Sequence, residues 1–480
     1  MNKVKITALF LGLIFPVLLF GQFSGFDLSK YKLPDIKTDR LDLYFNLYNS
    51  GSKTFSQISN SDTTESKQNY LSSALNLSYY HFRNSEKYQG DLMVYSYFRP
   101  SIMKNNTNEL ITKNNTINTD FLISSNNSFF NQNKGFIEID PYLSYSSINE
   151  RYHRYISSGS TRDDNSDQFT TALSIPVLVG KGRIEPVEDV RLAIYILEEL
   201  NKAGRISSLP TEEVIIELAK KISQIKRKRF FDSRIRKIEE LQVIDSFLVA
   251  NDIISANDIN YFSVLNDQWD YAYGPSRESG FAISAGIDNY VSFNKLNQKT
   301  IIDNNDPTRS NRKENVYGLG GLLKLRYAKP INLYWQTSAS LTTSYIVEFT
   351  RDPDQLDDAI KNFETNIFRT DLNYSLQFIP NSRTSIQFNI AGSFLNSQGE
   401  LTKINIDPID YRLNSTLLTI TPELKLNYYI SPQLRVQFYS SIYLINSKYL
   451  ERYESPLLNI EHIWNRYQHN VSVNLIYSFF

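Results

Sequence analysis

The chain contains no cysteine. That excludes a disulfide framework and any thiolate-ligated metal site. Histidine is nearly as scarce: only His81, His153, His462 and His469 are present, and no two stand at ligand spacing. Charge of one sign is also missing. The 51 basic and 51 acidic residues cancel to a formal net charge of zero, whereas a nucleic-acid binder would carry a net basic surface. No segment beyond the N-terminus holds 18 uninterrupted apolar residues, so transmembrane helices are excluded. What is abundant is tyrosine and phenylalanine, 32 and 29 against three tryptophans. Apolar residues at 41% and charged ones at 21% are a little low for a soluble domain. This composition suits a transmembrane β-barrel, and a large soluble β-sandwich could share it.

The N-terminus suggests the compartment. Lys3 and Lys5 precede the apolar run Ile6 to Phe20, and polarity returns after Gly21-Gln22. A basic start, an apolar core of about 15 residues and a small residue at the cut describe a secretory signal peptide over 1–21. A membrane anchor would need about 20 apolar residues. Residues 22–38 have no regular period, and they form an expected N-terminal periplasmic segment.

Beyond them the apolar residues recur with period two. Leu418, Ile420, Pro422, Leu424, Leu426, Tyr428 and Ile430 alternate with Thr419, Thr421, Glu423, Lys425, Asn427 and Tyr429. Soluble strands usually run about 5–6 residues, whereas a tilted strand crossing a bilayer needs about 9–11. The same reading predicts 14 antiparallel strands, within a range of 12 to 16. They centre on 40–49, 70–82, 89–98, 120–130, 134–146, 167–180, 279–294, 314–328, 331–349, 366–380, 383–395, 413–430, 432–445 and 467–480. The connections alternate between short (near 83–88, 131–133, 329–330, 381–382 and 431) and long polar ones (such as 50–69, 99–119, 350–365 and 396–412). Outer-membrane barrels have short periplasmic turns and longer extracellular loops.

The sequence here resembles Gram-negative outer-membrane β-barrel proteins. The resemblance rests on pattern over most of the chain, with no family-specific motif. Such proteins end in an amphipathic strand with a terminal Phe. In this chain Val471, Val473, Leu475, Tyr477 and Phe479 share the apolar face, and Phe480 follows one residue out of phase. The resemblance implies that Val473, Leu475, Tyr477, Phe479 and Phe480 form a signal read by the barrel-assembly machinery. It also implies an outer-membrane location among lipid.

Residues 183–270 break the pattern by switching to period 3.6. Val190, Ile194, Leu197 and Leu200 follow Pro186, Glu188 and Asp189, and Gly204 closes that helix. A second helix starts at Thr211 with Val214, Leu218, Ile222 and Ile225 on its stripe. A third carries Ile235, Ile238, Leu241 and Leu248. A fourth, weaker one runs from Ser255 through Ile259 and Phe262. The expected fold is therefore an all-β transmembrane barrel with a small α-helical bundle insert. The first part of the barrel spans 39–182 and the second 271–480. Six strands before the insert place it on the periplasmic side. Gly180 and Gly182 are expected to bend the chain from strand to bundle.

The insert carries a basic run: Lys220, Lys221, Lys226, Arg227, Lys228, Arg229, Arg234, Arg236 and Lys237. Such a face could dock a periplasmic protein, peptidoglycan carboxylates or lipid headgroups, and a merely solvated helix face is the commoner explanation. Alternation predicts lumen charges at Asp42, Glu138, Asp140, Asp288, Lys324, Arg326, Glu348, Arg369, Asp371, Glu423, Lys425 and Arg435. The set is of mixed sign, which suits a weakly selective pore or a lumen closed by ion pairs. Tyr44, Tyr142, Tyr290, Tyr334, Tyr429 and Tyr443 are expected beside them, to stack on a sugar or to fill space. Tyr317 and Tyr327 suit an interfacial girdle.

Signals of chemistry are weak. His81 and His469 are expected near outer strand ends with Ser78 and Asn470 as neighbours, without a nucleophile elbow or metal motif. Asp303, Asp306, Asp352, Asp354, Asp357 and Asp358 match no calcium-loop spacing, and an Asx-turn and a loop helix are expected there. No enzyme activity and no cofactor are expected. The functional expectation is a transport or export channel whose insert is plug, gate or partner adaptor. The alternatives are a non-conducting envelope scaffold and, more distantly, an outer-membrane hydrolase.

Overall fold

The structure is a computed structural model. It describes residues 25–56, 64–107, 110–156, 159–227, 233–255, 258–272, 274, 276–303, 305–351, 362–401, 411–431, 434–452 and 460–477. The proposed signal peptide, Lys228, Arg229, the acidic stretch 352–358, Phe479 and Phe480 lie outside these residues.

One antiparallel sheet of sixteen strands dominates. Its first half is β1 (Ile36–Ser56), β2 (Thr64–Asn84), β3 (Tyr88–Thr107), β4 (Leu110–Phe130), β5 (Gly135–Ile139), β6 (Tyr142–Ile156), β7 (Thr161–Ser174) and β8 (Val177–Pro186). Its second half is β9 (Glu278–Ile302), β10 (Thr308–Pro330), β11 (Trp335–Arg351), β12 (Asn362–Asn381), β13 (Thr384–Leu401), β14 (Tyr411–Tyr429), β15 (Leu434–Arg452) and β16 (Ile460–Tyr477).

Sixteen strands make fourteen staves. β5 and β6 both pair with β4, and β7 and β8 both pair with β9. Each of these two staves is broken at a proline, Pro141 or Pro176, which has no N–H to give the ladder. The carbonyls of both prolines still accept, from Ser125 N at 3.0 Å and Asp140 N at 3.1 Å. The predicted strands 134–146 and 167–180 are these interrupted staves.

The strands run further than alternation suggested. β3 and β4 extend to Thr107 and from Leu110, through most of the stretch expected as a long loop. Polar residues there continue the ladder, pairing Asn106 with Ile111. Alternation records only where the two faces differ, and strand ends wetted on both sides lose that contrast while keeping their hydrogen bonds.

The sheet curls into a barrel. A cavity of 960 Å³ is lined by residues of β1–β5 and β8–β14. Outward residues are apolar and exposed, as with Leu43 at 67% and Phe45 at 71%. Ladders join every stave to the next from β1 to β16. Among the described residues no ladder joins β16 back to β1. The rungs climb steadily: the row that starts at Ile36 passes Glu138, Gly286 and Arg369 and reaches Trp464.

Four helices lie between β8 and β9: α1 (Glu188–Lys202), α2 (Glu212–Lys226), α3 (Ser233–Ala250) and α4 (Ile259–Asp270). α4 starts later than expected because Asp258 caps it, accepting from Tyr261 N at 3.0 Å. The stretch expected to bend toward the bundle remains strand up to Pro186. Gly182 sits there at φ 108, and a Cβ would meet Phe281 O at 2.0 Å.

The hydrophobic core belongs to this bundle rather than to the wall. Ile194, Leu197, Leu218, Ile222 and Leu265 are fully buried in it. The N-terminal segment joins the same core through Phe26, Leu28, Tyr31, Leu33 and Ile36. The bundle's contacts with the wall are Phe82, Leu333 and Tyr334, Ile379, Arg383 and Tyr429. All lie at the ends of strands joined by short turns. The bundle therefore fills that mouth.

Candidate functional site: the lumen and its helical floor

Ladder register fixes which residues share the inner face. Glu138, Lys324, Arg326 and Glu423 line the cavity. Asp42, Asp288, Glu348, Arg369, Asp371, Lys425 and Arg435 occupy positions of the same parity along their strands, and Asp140 lies in the break just after β5. They do not form one ring. Lys324 reaches from β10 to Glu138 at 2.8 Å and Asp140 at 2.5 Å, and Arg326 stands 3.7 Å from Glu138. Elsewhere the pairs are local. Asp42 meets Arg40 at 2.9 Å, Asp371 meets Arg369 at 2.7 Å, and Glu423 stands 3.6 Å from Lys425. Arg435 donates to Tyr429 Oη at 3.2 Å. Tyr290 lies flat over Gly318, the one residue on that rung without a side chain to block it, and donates to Glu348. Asp288 stands opposite Gly320 on the ladder.

The floor of the cavity comes from the bundle, through Glu188 and Arg227. Beneath them lies a buried ionic knot. Asp189 accepts from Lys226 Nζ at 2.8 Å, Arg227 Nη1 at 2.5 Å and Ser223 Oγ at 2.6 Å. Tyr31 of the N-terminal segment shares a hydrogen bond with Ser223 at 2.5 Å. Burial opposes the charge on Asp189, but Lys226 and Arg227 outweigh it and hold the carboxyl down to about 2. Burial instead raises Glu188, and the neighbouring Asp189 adds to the rise.

This knot corrects the expected basic face. Lys226 is 7% exposed and Arg227 13%, both turned inward. They follow Ile222 and Ser223 by one helical turn, so they fall on the buried stripe. Lys220 and Lys221 are exposed. Lys237 pairs with Asp270 on α4. Arg234 and Arg236 belong to α3, but their side chains are outside the described residues. No common docking surface therefore unites the run among the described residues.

The bundle is fastened at a point the sequence did not signal. Arg277, fully buried, donates to the carbonyls of Leu333, Asn332 at 3.0 Å and Trp335 at 2.6 Å. Burial brings it down to about 9, which leaves it charged at neutral pH. Its own carbonyl accepts from Val187 N at 2.7 Å. One residue thus ties the entry to α1, the start of β9 and the β10–β11 turn. On the far rim Arg383 meets Asp267 at 2.6 Å, and Tyr195 Oη donates to Ile379 O at 3.0 Å. Tyr334 is another correction. It belongs to the β10–β11 turn and packs on the bundle core, not in the lumen.

The histidine expectation fails on geometry. His81 lies at the short-turn end of β2, bonded to Asp39 at 2.7 Å. His81 and Ser78 differ by an odd number of residues and so point to opposite faces. The same holds for His469 and Asn470. His469 lies opposite Ile442 well inside β16, not at its end. Among the described residues no group of His, Asp and Glu is placed to hold a metal. Asp303 takes φ 51, and its Oδ1 accepts from Thr161 N at 2.7 Å, a contact across to β7 and not the local Asx-turn expected, since Asn305 N donates to Ile302 O. Tyr317 and Tyr327 lie on the outward face of β10, Tyr327 near its end but Tyr317 in its middle, and Val473 and Leu475 face outward on β16, where Tyr477 is the last described residue.

No family model matches the sequence, and neither does any curated protein. Among solved structures, the crystal structure of the P. putida toluene transporter TodX aligns over 94% of this chain and 92% of that one. The TM-score is 0.30 and the identity 9%. That superposition is too loose to bear on what this chain carries.

Proposed function

We propose that the chain is an outer-membrane transport channel whose helical insert closes the periplasmic mouth as a plug or gate. The observation that supports this reading is the polar cavity inside the curled sheet, floored by Glu188 and Arg227 of the bundle. A structural barrel could fill that space with packed side chains. The exposed apolar outer face suits a lipid surround. The reading includes no catalytic activity and no cofactor.

The test is planar-bilayer conductance of the refolded chain with Asp267→Cys and Arg383→Cys. The natural chain has no cysteine to interfere. Current that appears on reduction and disappears on oxidation is the expected result for a gate. Current in both states would make a static pore. Silence in both, with a heat-modifiable folded barrel, would overturn the channel.

A second reading, a scaffold that tethers a periplasmic partner, draws on Ile259, exposed at 83%, with Leu209 and Phe262 exposed on the same insert. It predicts a co-purifying partner that is lost with Ile259→Asp.

A further inference from the structure

The inner face of β1–β3 is rich in tyrosine. Six tyrosines share it: Tyr44 and Tyr48 on β1, Tyr70 and Tyr80 on β2, Tyr95 and Tyr97 on β3. Tyr80 lines the cavity near the helical floor. Tyr44, Tyr95 and Tyr97 lie at middle height, and Tyr48 and Tyr70 stand near the far mouth. Ten residues separate Tyr80 from Tyr70, roughly 33 Å of extended strand, or about 25 Å of height for a strand tilted by about 40°.

The rings form neighbouring pairs. Tyr95 and Tyr97 are stacked, with centroids 6.5 Å apart and planes 12° from parallel. Tyr48 and Tyr70 are 5.9 Å apart. Tyr44 and Tyr48 lie on the edge strand β1, which is exposed on both faces. Between the rings the inner face is mainly polar, with Ala74, Met93 and Met103 as its apolar members. Ser72, Asn76, Ser78 and Ser101 fill the intervening positions. Asn76 shares one rung with Tyr44 and Tyr97, and its Oδ1 has no hydrogen-bond donor. Arg99 donates to Tyr70 Oη at 2.8 Å, which orients that ring.

We propose that this wall is a binding track for neutral oligosaccharides. Sugar rings present flat C–H faces to aromatic rings and hydroxyl groups to the amides and hydroxyls between them. An acyl chain would leave those polar groups without partners, and a charged polymer would meet no ring of opposite charge. The track names a solute for the channel proposed above, and in that sense rests on it. Binding is measured without current, however, so the two can fail separately.

The experiment is titration of the folded full-length chain in detergent with maltohexaose and cellohexaose, read by quenching of intrinsic fluorescence. Dodecanoate is titrated in parallel. Saturable binding of a hexasaccharide is expected, weakened about tenfold or more by Tyr95→Ala with Tyr97→Ala. Tyr95→Phe with Tyr97→Phe keeps both rings, and binding is expected within about threefold of the natural chain. Tyr345→Phe, on the outward face of β11, serves as a folding control and is expected to leave binding unchanged. Failure of both hexasaccharides to bind would overturn the track. So would equal binding by the alanine variant, or dodecanoate binding at the same tyrosines in their place.

Discussion

The wall and the bundle use the same apolar residues against different solvents. On the wall Leu43, Phe45, Leu319 and Val473 are exposed, and each strand is held chiefly by its rungs to two neighbours. In the bundle Leu197, Leu218, Ile222 and Leu265 are fully buried against one another. A wall of this kind acquires its hydrophobic stabilisation from lipid, whereas the bundle carries its own core in water. The difference teaches that one chain can be two proteins in energetic terms, joined at Pro186–Val187 and at Arg277.

Substitutions can break that division or sharpen it. The largest effect is expected at the ionic knot. Asp189→Asn strands Lys226 and Arg227 beneath the lumen floor, at a cost of about 4 kcal/mol. Hydrogen exchange over 188–270 would register it while β9–β14 kept their protection. The natural knot has a pH signature of known sign. Asp189 is held below its ordinary 3.8, so its stabilisation is complete above that value and is lost as pH falls toward about 2. The same exchange measured down a pH series should show the bundle loosening only in that acid window.

Next comes a matched pair of truncations. Leu218→Ala, in the bundle core, should cost about 3 kcal/mol. Leu319→Ala, on the outward face, should cost less than about 1 kcal/mol in lipid. Urea melts of the two variants in one bilayer system check the contrast, and equal losses would abolish it. The smallest effect is expected at the rim pair Arg383–Asp267. Both partners are more than a third exposed, so a double-mutant cycle should give about 0.5 kcal/mol. A fastening that weak is what a gate needs. His81→Ala and His469→Ala should leave any lipid-hydrolysing activity of the preparation unchanged.

Much of the wall was legible because one face is apolar and the other polar, which writes period two into Leu418–Ile430. The strand ends were not, since Asn, Thr and Ser at β3 and β4 pair as strands without any contrast between faces. Pro141 and Pro176 were in plain view, but a proline inside an alternating run does not say whether the stave ends or merely breaks. The helices were legible from period 3.6, including the stripe that buries Lys226. Reading the basic run as a charge block rather than by helical phase concealed the knot with Asp189. Arg277 carried no signal at all, because its partners are backbone carbonyls some 55 residues away.

The free edges of β1 and β16 face a constraint set by the climbing rungs. Leu41, Leu43 and Phe45 face outward on one edge, and Val471, Val473 and Leu475 on the other. A clasp between them can match outward with outward, for instance Leu43 beside Val473 and Phe45 beside Val471. It then lays Ser56 against Ile460, flush at the far ends. A shift of one residue would turn a whole stave's apolar set into the water of the lumen. Such a clasp can slip only by two notches at a time, so the girth of the closed ring comes in discrete sizes.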